Sequence, residues 1–152
     1  MRELIERLEK AEAGSRELDG LLARRFGWHR VEPRHARNRA GGWIAPEDFM
    51  GLNSDGSPRL DSLHGTDIHR DPPRLSQSLD AALALAERVL PGWCCATGGK
   101  LARGHRDAFA RVDTPDGCDF EEAYASTPAL ALCIAILRAL RTTEQHSPEE
   151  RA

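Results

Sequence analysis

Thr127-Pro128-Ala129-Leu130-Ala131-Leu132-Cys133-Ile134-Ala135-Ile136-Leu137-Arg138-Ala139-Leu140 reads as a helix with almost no solvent face. Thr127 suits an N-cap, because its hydroxyl can accept an early backbone N–H. Pro128 suits the first helical position, where no N–H is needed. From 129 to 140 nearly every residue is apolar, so the segment must be buried on most sides. The 13 residues from Pro128 to Leu140 are too few to cross a bilayer. The expectation is a central core helix, followed by a polar, frayed tail over 142–152.

The elements just upstream are built to cover that helix. Ser78 suits an N-cap, and Leu79, Ala82, Leu83, Ala86, Val89 and Leu90 share one face of a helix that Pro91-Gly92 ends. Trp93-Cys94-Cys95-Ala96-Thr97 and Ala108-Phe109-Ala110-Arg111-Val112 read as strands, and a third covers Phe120 to Tyr124. Thr114-Pro115-Asp116-Gly117 is a turn signal. The links between these strands are too short for crossover helices, so antiparallel pairing is expected. At the other end, Leu4, Ile5, Leu8 and Ala11 make an amphipathic stripe. Gly14 breaks it, Ser15 caps a second helix carrying Leu18, Leu21 and Leu22, and that helix ends near Phe26-Gly27.

Residues 27–77 differ. Five prolines (Pro33, Pro46, Pro58, Pro72, Pro73), Gly41-Gly42 and Asn53-Ser54-Asp55-Gly56 interrupt sparse apolar positions. Trp28 and Trp43 argue against disorder, since disordered segments are poor in aromatics. The expectation is an ordered, irregular excursion pinned by Trp28, Trp43 and Phe49. The whole then reads as one α+β domain over 1–141. It would hold a small antiparallel sheet layered between helices (an α/β/α sandwich), with 27–77 a long loop insertion.

With the core motifs in view, the chain resembles the phage ABA sandwich domain family. The resemblance is carried by Ser78-Leu79-Asp80-Ala81-Ala82-Leu83-Ala84-Leu85, Pro91-Gly92-Trp93 and Ser126-Thr127-Pro128-Ala129-Leu130-Ala131-Leu132-Cys133. The opening Leu4-Ile5-Glu6-Arg7-Leu8-Glu9-Lys10-Ala11 and Ser15-Arg16-Glu17-Leu18-Asp19 extend it. It covers roughly residues 2 to 26 and 76 to 140. It implies a phage or prophage origin, an α/β/α layered domain and no assigned catalytic residues. The segment from Ala45 to Pro73 resembles an insertion of some relatives.

Charge and composition narrow the function classes. The 152 residues carry a net charge of -3, with 40% hydrophobic and 30% charged residues. That excludes a uniformly basic nucleic-acid binder. No apolar run is long enough for a membrane span. The charged start Met1-Arg2-Glu3-Leu4 has no secretory pattern, so a cytoplasmic location in a bacterial host is expected. Cys94, Cys95, Cys118 and Cys133 form no CxxC and no zinc spacing, so the thiols are expected reduced, with Cys133 a core residue.

Three stretches could carry chemistry. Arg24, Arg25, Arg30, Arg34, Arg37 and Arg39 stand against Glu32 alone, +5 within residues 24–39, which leaves -8 for the rest of the chain. His29, His35, Trp28 and Trp43 lie among them. Arginine forks hold phosphate bidentately and aromatics stack on bases, so Trp28, His29, Arg30, Arg34, His35, Arg37, Arg39 and Trp43 form the candidate ligand-binding set. The competing reading is a solvated, arginine-rich loop. Second, His64, Asp67, His69 and Asp71 are donors a divalent metal could use, although a polar turn is the favoured reading and no known template fits. Third, Gly98-Gly99-Lys100 lacks the Walker pattern and reads as a strand link. The function expected is a non-enzymatic phage accessory protein without cofactor, binding an anionic or nucleotide-derived molecule. A host immune signalling nucleotide, held out of circulation, would suit. The alternatives are a protein-interaction module acting on a host factor or a second copy, a metal-dependent hydrolase at His64–Asp71, and, ranked last, nucleic-acid binding through the arginines.

Overall fold

The computed structural model describes residues 1–35, 41–60, 68–99 and 108–146. The chain divides into two compact units, Met1–Leu18 with Arg74–Ala152, and Asp19–Pro73. The α+β class expected from the sequence is what is seen.

The larger unit is organised by its last helix. Here α1 is Arg2–Lys10, α2 is Arg16–Arg25, α3 is Leu79–Val89 and α4 is Pro128–His146. Ala129 to Leu137 and Ala139 of α4 are each 4% exposed or less, the burial its composition demanded. Every large aliphatic side chain there contributes about 1.5–3 kcal/mol. The caps are where the residue types put them. Thr127 Oγ1 accepts from Leu130 N–H at 3.3 Å, Ser78 Oγ from Ala81 N–H at 3.3 Å and Ser15 Oγ from Leu18 N–H at 3.2 Å. Cys133 is buried and its thiol donates to Leu75 O at 3.3 Å.

Strands β5 (Cys94–Gly99), β6 (Ala108–Asp113) and β7 (Phe120–Ala125) form an antiparallel sheet in the order β5-β6-β7. Alternation sets its two faces. Ala108, Ala110 and Val112 with Ala123 and Ala125 are buried, and α4 packs against β6 and β7. Small residues on that face let the helix lie close. α1 and α3 in turn pack on α4. The opposite face is the open one, with Phe120 52% and Tyr124 62% exposed. The layering is therefore helix on one face of the sheet, with solvent at much of the other.

One boundary is corrected. Helix α4 continues to His146, so the expected polar tail is helical at its start. Thr143 donates its hydroxyl to Ala139 O at 3.0 Å, and the single Thr142 hydroxyl proton is shared between Glu121 Oε1 at 2.9 Å and Arg138 O at 3.2 Å.

The smaller unit is less irregular than its prolines suggested. Beyond the α2 residues from Asp19 it holds two hairpins. β1 (His29–Val31) pairs with β2 (Gly42–Ile44), and β3 (Phe49–Leu52) with β4 (Pro58–Leu60). Val31 and Ile44 form its apolar centre, with Phe49 and Ile68 packed against them. The second hairpin turns at Asn53-Ser54-Asp55-Gly56-Ser57, where Asp55 Oδ1 accepts from Ser57 N–H at 2.9 Å. His69 adds a bridge to β2, its N–H donating to Trp43 O at 2.8 Å and its O accepting from Trp43 N–H at 2.7 Å. A Cβ on Gly42 would lie 2.3 Å from Ile68 Cγ2 and 2.6 Å from His69 O, so this approach requires glycine.

Candidate functional site

Trp43 is the centre of the arginine-rich unit. Strand β2 places it opposite Arg30 of β1, and the residue is buried, 4% exposed. The Arg30 guanidinium carbon stands 5.4 Å from the Trp43 ring centroid. Arg24, from the last turn of α2, reaches the same ring at 5.9 Å. Guanidinium over an indole is a favourable cation–π arrangement, and it orients a side chain that would otherwise sample many rotamers. Among the described residues neither Arg24 nor Arg30 has a carboxylate partner. Arg34 does, pairing with Glu32 at 2.9 Å, so that charge is already answered.

The indole itself is incomplete. Trp43 Nε1 is buried and has no hydrogen-bond acceptor among the described residues. An orphaned donor of this kind costs about 1–3 kcal/mol. Two aromatic pairs complete the unit's polar decoration. His29 stacks on Phe49 with centroids 4.2 Å apart and planes 11° from parallel. Trp28 meets His69 edge-on at 5.4 Å.

The expected ligand-binding set is thus brought together in part. Arg30 and Trp43 touch, and Arg24, which the sequence placed in the charge run but not in the chosen set, joins them. Its signal was there: an arginine in the last turn of a helix that runs straight into the tryptophan-flanked hairpin. Trp28 and His29 are engaged with His69 and Phe49, and Arg34 with Glu32. His35 closes a short 3-10 turn, Pro33–His35. Arg37 and Arg39 lie outside the described residues.

The metal reading meets a similar boundary. His64 and Asp67 lie outside the described residues, while His69 is held by its backbone bridge and by Trp28. Among the described residues no three His, Cys, Asp or Glu side chains gather. Lys100, too, lies outside them. Gly98 is strand rather than link, the penultimate residue of β5, and it faces the Phe109 ring.

Two of the thiols, Cys95 and Cys118, are held toward their protonated form. Burial, then the neighbouring Cys94, pushes Cys95 above the ordinary thiol range. The Asp116 carboxylate does the same to Cys118. Since the thiolate is the reactive form, both changes disfavour covalent chemistry at neutral pH.

Among the described residues, clefts of the larger unit include the following two. One, about 360 Å³, lies where α3 and α4 begin and is lined by Gly14, Ser76, Gln77, Leu79, Thr127 and Pro128 among others. Helix N-termini favour anions, but Ser78 and Thr127 already cap these two, and among the described residues no charged side chain lines the space. The other, about 470 Å³, is lined by Trp93, Thr114, Asp119, Phe120, Glu121, Ala139, Thr142 and Thr143. No helix among the described residues is long and apolar enough to cross a membrane. Set against known proteins, the chain matches no family model, no curated protein and no solved structure.

Proposed function

We propose that this chain is a non-enzymatic binding protein that holds an anionic, nucleotide-derived small molecule at the Arg24–Arg30–Trp43 surface. One observation carries the reading: two guanidinium groups stand on a single buried indole with no carboxylate to neutralise them among the described residues. Unanswered, oriented arginines are the donor set that phosphate oxygens take up bidentately. The setting proposed with it is a phage accessory protein, resident in the bacterial cytoplasm, that keeps a host immune signalling nucleotide out of circulation. That setting rests on the resemblance of the core motifs.

The test is thermal denaturation of the pure protein with pyrophosphate, ADP-ribose and a panel of cyclic dinucleotides. A ligand at 100 times its Kd adds about 2.7 kcal/mol, a rise of several degrees in Tm for a chain of this size. Wild type should rise with at least one of them, and a folded Arg24→Gln/Arg30→Gln variant should not. No rise in wild type for any compound, or an equal rise in the variant, refutes the proposal.

A second reading has its own observation. Met50 and Leu52 of β3, two residues apart, are 57% and 53% exposed. This favours self-association through β3. Light scattering would show a dimer that Met50→Asp/Leu52→Asp dissolves; a wild-type monomer at high concentration refutes it.

A further inference from the structure

The sheet of the larger unit ends on two edge strands that differ sharply in how they are protected. β7 is guarded. α1 packs against it, and the Glu122 carbonyl accepts a terminal N–H of Arg138 at 2.6 Å while Arg138 also holds Glu9 of α1 at 2.7 Å. Glu121 and Glu122 add two charges near the middle of the strand. β5, at the other edge, has none of this. Among the described residues its backbone hydrogen-bonds to β6 alone, and Cys94, Ala96 and Gly99 are exposed.

A strand edge presents a row of unpaired N–H and C=O groups, and proteins blunt such edges with lysine, proline, bulges or short strands. β5 carries no such device. Its six residues, Cys94-Cys95-Ala96-Thr97-Gly98-Gly99, hold no charge and no proline, and they pair with β6 in unbroken register. The flexible point, Gly98, is covered. A Cβ there would lie 2.4 Å from Phe109 Cε1, so the Phe109 ring of β6 rests against the glycine. Aromatic cover of an edge glycine keeps in order a strand that glycine would otherwise weaken. The edge is thus both bare and well formed.

We propose that β5 is a self-pairing edge: two copies of this chain join β5 to β5, antiparallel about a two-fold axis, into one continuous sheet with three strands from each copy. A second copy is the occupant this composition fits. Self-pairing sets a neutral strand against itself, so no like charges meet, whereas β7 against β7 would gather the glutamates of both copies. A two-fold pair is also closed, so association stops at the dimer. Directly opposed residues share a face of the sheet, which puts the axis at Ala96 or Thr97, the middle of the strand. Side chains this small bury little area, and main-chain hydrogen bonds carry the contact. The interface therefore falls below the roughly 1,200–2,000 Å² of stable complexes, and a Kd in about the micromolar range or weaker is expected.

Sedimentation analysis of the full chain, from low micromolar to near-millimolar concentration, tests this. Wild type should pass reversibly from monomer to dimer. Ala96 is exposed, so Ala96→Lys and Ala96→Asp keep the fold, and each should weaken the dimer about fivefold or more by setting like charges across the new pair. Mixing the two variants should restore association. Hydrogen exchange on wild type gives a readout without any substitution: β5 amides should exchange more slowly as concentration rises, and β7 amides should not. A wild-type monomer at every concentration overturns the proposal and leaves the edge to an extended segment of another protein. So does a dimer that Ala96→Lys leaves intact, or a mixture that associates no better than either variant alone. Concentration-dependent protection on β3 in place of β5 overturns it too.

Discussion

Replacing Gly14 with alanine should unfold much of the larger unit's stability from one methyl group. A Cβ at Gly14 would sit 2.1 Å from Ser76 O, 2.5 Å from Ser76 C and 2.9 Å from Gln77 Cα. All three are backbone atoms, so no side chain can swing aside. Restoring an ordinary contact requires the two segments to part by roughly 1.3 Å. Overpacking of this kind costs about 1–3 kcal/mol. The same displacement breaks the reciprocal bonds beside it, Ser15 N–H to Ser76 Oγ at 3.0 Å and Ser76 Oγ–H to Ser15 O at 3.1 Å. At about 1 kcal/mol each these raise the loss to about 3–5 kcal/mol, a large share of the roughly 5–15 kcal/mol a domain has. Urea denaturation followed by helical circular dichroism measures it. Ser76→Ala, which removes the bonds without adding bulk, should lose about 1–3 kcal/mol and so separate the two contributions. A Gly14→Ala protein within about 1 kcal/mol of wild type, at unchanged denaturant slope, would refute the reasoning.

Other expectations are quicker to check. Leu132→Ala in α4 empties a fully buried site and should cost about 2–5 kcal/mol by the same denaturation assay, whereas Thr127→Ala, which loses the cap, should cost about 0.5–2 kcal/mol. Cys118 should alkylate slowly at pH 7 although exposed, and Asp116→Asn should quicken it by removing the charge that raises the thiol's pKa; mass spectrometry of iodoacetamide-treated protein reads both. The Asp116 carboxyl is itself held below the ordinary carboxylate range, first by the Thr114 hydroxyl and then by the Cys118 N–H. Its folded pKa lies below its unfolded one, so its stabilising share is present above the unfolded value and disappears as pH falls through the folded one. An NMR titration should place its midpoint below that of a short peptide spanning Thr114 to Asp119.

The larger unit was legible in the sequence because its signals are local and agree with one another. Thr127-Pro128 with eleven apolar residues among the next twelve admits one structure, and Ser78 with Pro91-Gly92 brackets another. The alternation in Ala108-Phe109-Ala110-Arg111-Val112 sets which face α4 covers. The extent of α4 was not legible, because Arg141-Thr142-Thr143 looks like a polar tail until Glu121 and the i−4 carbonyls take up the threonine hydroxyls. The hairpins of 27–77 were missed for a similar reason. Strands of three and four residues are too short for alternation to register, although Asn53-Ser54-Asp55-Gly56 was a hairpin turn in plain view. The candidate site was half legible. Composition singled out Arg30 and Trp43, but pairing Arg24 with them depends on where α2 stops relative to β2, which no local pattern encodes.

The claim that Arg24 and Arg30 form an anion site around Trp43 has one direct observable, the Nε1–H resonance of that indole. Trp28, Trp43 and Trp93 give three such signals, assigned by a Trp43→Phe variant. Titration with ADP-ribose should move the Trp43 signal saturably, more than the other two, and Arg24→Gln/Arg30→Gln should abolish the movement. A saturable response confined to Trp28 or Trp93, or one that persists without the two arginines, would contradict it.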